Sequence, residues 1–291
     1  MRNDHGMAVV SGCAARSLTA QYTAAVAGLT DHRFTRRVGA LHTLAMLGQS
    51  SPAHRSAIVD VICAYLRMPG ADTATHQTAI QLLQQRLRPA RPEFWPGMSV
   101  DLAGAVLTEL DLSHCRIDGD LRLDNCVLQG QTRLRGLVVG GSTAIRGTRL
   151  DDHAWLERGV FGGPVWFDGT SFGGDAWFGE TRFAGWSSFA GATFTGHAWF
   201  GGVDFAAPVD FGHAIFHRSA GFRGAVARAQ VSLSGTTFHG PARVSRRDDG
   251  WNISAPGWQV VVDDDNPAVG RLFWVGGRDF IEKPVLVDSP A

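Results

Sequence analysis

The run Phe167-Asp168-Gly169-Thr170-Ser171-Phe172-Gly173-Gly174-Asp175-Ala176-Trp177-Phe178-Gly179-Glu180-Thr181-Arg182-Phe183 decides the fold. Its phenylalanines return after 5, 6 and 5 residues. Fixed-period self-similarity of this kind marks a repeat architecture. Outward from it, Phe161, Phe167, Phe172, Phe178, Phe183, Phe189, Phe194, Phe200, Phe205, Phe211, Phe216 and Phe222 keep the 6, 5, 6, 5 spacing without a break. The period is therefore 11, two pentads plus one residue. Upstream the slot passes through Leu156, Leu150, Ile145, Val139, Leu134, Leu128, Leu123 and Ile117, then Leu112, Leu107 and Leu102 at a plain spacing of 5. Downstream it passes through Ala227, Leu233, Phe238 and Val244. Residues 100–246 thus parse as 27 pentads with 12 single-residue inserts, and every pentad centre is apolar.

The slot two before the centre is mostly small: Cys115, Cys126, Thr143, Ala154, Thr170, Ala176, Ser187, Ala198. A short extended stretch sends alternate residues to one face, so a large and a small side chain point inward together. Two after the centre stands glycine at Gly119, Gly130, Gly136, Gly147, Gly169, Gly185 and Gly196. Glycine takes backbone conformations that other residues resist, and the expectation is that it turns the corner. Inserts such as Asp120, Gln131, Ser142, Pro164, Asp175, Pro208 and Pro241 are mostly corner-forming types. Stretch and corner, repeated, coil the chain around an apolar core, each coil about 4.8 Å from the next.

On these residues the chain resembles the pentapeptide-repeat family, whose pattern is roughly A-(D/N)-L-x-x. Ala105-Val106-Leu107-Thr108-Glu109 and Leu110-Asp111-Leu112-Ser113-His114 carry the usual form, and Ala176-Trp177-Phe178-Gly179-Glu180 a phenylalanine-rich one. The resemblance implies a mainly β protein, a right-handed quadrilateral β-helix with four pentads per coil. The 27 pentads would then make nearly seven coils and a rod of roughly 32 Å. The 5-5-1 spacing departs from a strict pentad, so widened corners, bulged faces or a flatter cross-section are all open. The resemblance also implies a function known for some relatives, in which an acidic rod mimics duplex DNA and protects DNA gyrase.

Residues 1–16 read as a flexible start, and 17–90 as a helical module. Helices are expected over Leu18–Leu29, from after Asp31 to Gly48, from a Ser51-Pro52 start to Leu66, and from an Asp72 cap to Leu87. The stretch Leu18–Arg67 resembles a helical module found ahead of pentapeptide repeats in actinobacterial proteins. Residues 91–99 read as a linker, and 247–291 as a capping tail or side brace with strands at 259–262 and 272–275. Open β-helix ends pair with other chains unless covered, so both flanks are expected to be caps. The alternative use for the tail is a dimer interface.

Charge narrows the function. Lys+Arg and Asp+Glu are 27 each, which argues against a whole-molecule grip on nucleic acid or anionic membrane. The balance divides into ten cations against five acids over 1–99, parity over 100–247, and three against eight over 248–291. No apolar run reaches membrane-spanning length, and no CxxC, P-loop, dinucleotide fingerprint, GxSxG or HExxH occurs. The expectation is a non-enzymatic, cytoplasmic protein without cofactor or metal, reduced at its cysteines. Val10-Ser11-Gly12-Cys13 has the look of a lipoprotein box, but the apolar stretch before it is too short.

One surface feature stands out. Trp155, Trp177 and Trp199 each precede a centre and lie 22 apart, one coil each, so they should stack outward on one face. Trp166 should lie on the opposite face. The strip reads as a contact for a protein partner or a sugar ring, or as a surface shielded by the tail or a second subunit. His153, His197, His213, His217 and His239 occupy outward slots and read as solvated.

Overall fold

The structure, a computed structural model, describes residues 17–70, 72–245, 258–263 and 266–274. Its first elements are the helices α1 (17–28), α2 (Phe34–Ser50), α3 (Arg55–Leu66) and α4 (Thr73–Leu87). Apolar side chains at helical spacing build their shared core: Leu41 and Leu44 from α2, Ile58 and Ile62 from α3, Leu83 and Leu87 from α4, all buried. Asp72 caps α4 as expected, its carboxylate accepting the Thr75 N–H at 2.8 Å. Asp31 does not cap α2, which starts after Arg33 without a side-chain cap. Its carboxylate accepts the Arg33 N–H and guanidinium instead, and that side-chain bond holds the carboxyl down at about 2. A short turn, Pro52–His54, precedes α3 at the start that Ser51-Pro52 predicts.

Residues 91–99, expected to be a linker, are tied into both cores. Trp95 is 1% exposed. It lies so close to Gly48 that a Cβ there would sit 2.4 Å from its ring. Its Nε1–H donates to Gln49 at 3.1 Å, and Arg55 and Arg86 flank its ring. The helices meet the first coil through Arg67, which donates to the Asp101 carbonyl at 2.9 Å, and Arg88, which donates to that of Ser113 at 3.0 Å.

From Val100 onward the chain is a parallel β-solenoid with four faces. Seven strands on each of two faces bound about six turns. Face 1 stacks Val165–Trp166 on its neighbours, face 2 Ser171–Phe172, face 3 Ala176–Trp177 and face 4 Arg182–Phe183. Register advances by 22 residues per coil, as in Trp155↔Trp177 and Phe161↔Phe183. The first coil, free of one insert, advances by 21 (Val100↔Leu121). The cross-section is thus four-sided, not flattened.

The 5-6 alternation has a structural cause: the corners are of two kinds. Corners leaving faces 1 and 3 are tight and hold a left-handed residue, as at Gly169 (φ 62°) and Glu180 (φ 58°). Corners leaving faces 2 and 4 are wide and take the inserted residue, save the first face 2 corner at Glu109, which has none; Glu109 and Gly130 are the left-handed residues among them. Gly185, in a wide corner, has no left-handed backbone, which corrects the single role assigned to these glycines. It is glycine because a Cβ would meet the Gly163 backbone at 2.5 Å. Coils approach too closely there for any side chain.

The core is four ladders of rings. Phe172–Phe194–Phe216 stack at 4.7 and 4.6 Å on face 2, and Phe178–Phe200–Phe222 at 4.7 and 4.9 Å on face 3. Rings from neighbouring faces meet edge to face, as Phe167 and Phe178 do at 88°. Each such pair adds about 0.5–1.5 kcal/mol beyond area burial. All twelve phenylalanines from Phe161 to Phe222 are at most 1% exposed.

At the far end, Ala242–Ser245 on face 3 pairs antiparallel with Asn266–Trp274, which pairs in turn with Trp258–Asp263. This hairpin includes the expected 259–262 strand and residues 272–274 of the second, which begins well before the predicted start; residue 275 lies outside the described residues. Residues 1–16, with the lipoprotein-like box, and the rest of the tail lie outside the described residues.

Candidate interaction face

Face 3 brings Trp155, Trp177 and Trp199 into one column, in register from coil to coil. Each is an outward residue of a two-residue strand whose inward partner is Ala154, Ala176 or Ala198. The small inward residue leaves room for the next phenylalanine, and the strand pleat turns the indole out. Trp155 and Trp177 stack at 5.3 Å with only 5° between their planes. The Arg133 guanidinium covers the outer side of Trp155 at 5.7 Å. His153 wedges its edge against both indoles at 5.7 and 5.2 Å. Trp155 and Trp177 are consequently half-buried, whereas Trp199 is 41% exposed. Trp166 lies on face 1, across the rod. Arg146 sits over its ring at 4.1 Å, and Trp186 meets it edge-on at 6.2 Å.

The inserts beside the faces form side-chain ladders. Next to face 3, the Asp175 N–H donates to His153 Nδ1 at 3.0 Å, the His197 N–H to Asp175 at 2.8 Å, and His197 Nδ1 meets Ser219 Oγ at 2.6 Å. Next to face 1, Asp120 accepts from the Ser142 N–H at 2.7 Å. His153, Asp175 and Asp120 each take up an N–H of the next coil, and His197 bonds the Ser219 hydroxyl instead. His153 and His197 are therefore bonded components of a ladder. His217 and His239 stack on each other at 5.2 Å. Among the described residues no group of three or more His, Cys, Asp or Glu is placed to hold a metal ion.

Sequence reasoning missed Trp186, which is 39% exposed. It occupies an insert slot, where turn formers are expected. The available signal was Pro208, the insert 22 residues further on. Proline has no N–H, so the insert one coil before it need not supply an acceptor. That frees position 186 for an indole.

Much of the charge on the rod is paired off locally. Arg122 lies near Asp101 and Asp124, Arg146 near Asp124 and Asp168, Arg149 near Asp151, Arg158 near Glu180, and Asp204 between Arg182 and Arg228. Pairs this exposed contribute little stability, but they neutralise carboxylates along the length of the rod. Cys63, Cys115 and Cys126 are free and buried, and burial pushes their thiols up to about 12, 12 and 11. No described helix is long and apolar enough to cross a membrane.

A family model described as pentapeptide repeats (9 copies) matches residues 156–204, the coils that carry Trp177 and Trp199. Over residues 156–204 the chain therefore carries pentapeptide repeats, the family that the coil register and the phenylalanine spacing point to. No curated protein and no solved structure matches it. Pentapeptide-repeat solenoids are generally non-catalytic, and their fold suits protein interaction.

Proposed function

We propose that the chain is a non-enzymatic, cytoplasmic interaction scaffold whose solenoid presents face 3 to a protein partner. The observation that carries this reading is the tryptophan column: two stacked, half-buried indoles leading to an exposed third. Tryptophan on a rigid scaffold gives large contact area with little entropy left to lose, and dominates many protein interfaces. The free buried thiols fit a reducing compartment.

The test is affinity capture by the full chain, in wild-type form and as Trp177→Ala. The expected outcome is a specific protein recovered by the wild type and at least tenfold less by the variant, with both equally folded by circular dichroism. Equal recovery, or none from either, overturns the proposal. Light scattering on the same samples identifies the partner as a second copy if wild type is dimeric and the variant is not. The DNA-mimic reading needs an acidic face, and the arginine pairing along the rod counts against one. Unchanged supercoiling by gyrase on adding the protein would remove it.

A further inference from the structure

The tryptophan column stops at Gly221, which stands in register with Trp199 where the three preceding coils place an indole. The missing side chain leaves a cavity of about 390 Å³, within the range of ligand pockets. Trp199 forms one wall, Gly221 the floor and Pro241 the far side. His197, His217 and Arg218 stand around it. The floor is tight against the wall, since a Cβ on Gly221 would lie 3.0 Å from the Trp199 ring.

We propose that this notch is the specificity pocket of face 3, and that it receives an aromatic side chain flanked by a carboxylate, offered by an acidic peptide segment of the partner. The inference rests on the scaffold reading and deepens it. Two observations select the occupant. The column itself shows what packs at this register: a flat ring, stacked about one coil away, as Trp155 and Trp177 stack at 5.3 Å. The rim shows the charge. Arg218 is exposed and, among the described residues, has no carboxylate at ion-pair distance, unlike Arg146, Arg149, Arg158, Arg182 and Arg228 along the same rod. No acidic residue lines the cavity among the described residues. A guanidinium beside an indole wall pairs with a carboxylate bidentately while the ring stacks. His197 is oriented for the same approach by its bond to Ser219.

The probe is a fluorescein-labelled peptide, Gly-Ser-Asp-Trp-Asp-Ser-Gly, titrated with the full chain by anisotropy. Two controls replace both aspartates by asparagine or the tryptophan by alanine. The expected result is binding of the first peptide, about tenfold weaker binding of each control, and about tenfold loss on Arg218→Gln. Gly221→Trp, which closes the notch, should abolish binding. If that variant misfolds, Arg218→Gln still decides, because its side chain is exposed. Indifference of the peptide to Arg218→Gln, or equal binding of all three peptides, overturns the proposal. Should capture of the natural partner still depend on Trp177 in that event, the notch falls and the face 3 reading stands.

Discussion

Residues 100–150 and residues 156–222 wind the same four-faced coil with different side chains. The first stretch fills its centres with Leu, Ile and Val, the second with phenylalanine almost throughout. The aliphatic coils lie against the helices, where Arg67 and Arg88 bond them and Trp95 pins the junction. That surface is irregular, and branched side chains adapt to it. Between their two ends the phenylalanine coils mate with copies of themselves, so identical rings stack in ladders between 4.6 and 5.3 Å. The outer surfaces differ likewise. The aliphatic half is studded with Arg122, Arg133, Arg146 and Arg149 and their acidic partners, while the other half, beside the pairs at Arg158 and Arg182, carries Trp177 and Trp199 on face 3. Regular cores permit regular faces, and a flat aromatic column needs the second kind of core.

The comparison breaks most decisively at Phe189. This ring stacks on Phe167 and Phe211 at 4.8 and 4.9 Å and is fully buried. Phe189→Asp buries an unpaired charge and should cost about 4 kcal/mol or more, abolishing the cooperative melt followed by circular dichroism. Phe189→Leu, the aliphatic half's own solution, should cost only about 1–2 kcal/mol. Equal effects would mean the centre slots are not inward. Next in size is Trp95→Ala. Its loss should cost about 3–5 kcal/mol and split the melt, the helices unfolding before the phenylalanine coils. A single unshifted transition would show that the junction is not what joins the two regions.

Smaller effects sharpen the corner chemistry. Thr181, at a tight corner, donates its hydroxyl to the Leu156 carbonyl at 2.6 Å, whereas the Thr143 hydroxyl, inside a face 1 strand, is buried without a partner. Thr181→Val should cost about 1 kcal/mol and Thr143→Val nothing, or stabilise slightly. Denaturant midpoints of the pair check this, and equal midpoints would erase the distinction between corners. The smallest effect is acid sensitivity near the junction. The Gly97 N–H and then Arg116 hold the Asp118 carboxyl below its usual range, and Ser142 does the same for Asp120. Carboxyls depressed in the folded state lend stability that is complete above the unfolded value near 4 and fades as pH falls through the folded one. Tryptophan emission should therefore stay constant from pH 7 to 5 and shift only below about 4. A shift near pH 6 would implicate the histidines instead.

The centre slots were legible because each needs a large apolar residue and nothing else. The tryptophan column followed from the same arithmetic. Other features depend on what lies one coil away, and a linear reading of the chain does not display that. Gly169 and Gly185 look alike in sequence, yet one turns the chain with a left-handed backbone and the other makes way for the Gly163 backbone. Trp95 sits amid prolines and polar residues and carries no periodic signal. The notch at Gly221 is an absence, visible only once Trp199 is set beside it in register.

The sequence repeats every 11 residues, while the coil closes every 22. Faces 1 and 3 are therefore the same 11-residue motif seen half a turn apart, which is why Trp166 is the counterpart of Trp155 and Trp177 on the opposite wall. Duplicating or deleting one 11-residue unit would leave the ladders inside continuous. Everything beyond the change would nevertheless rotate to the other side of the rod. Such a chain could carry its binding surface from one wall to the other in a single genetic step, without redesigning the interior.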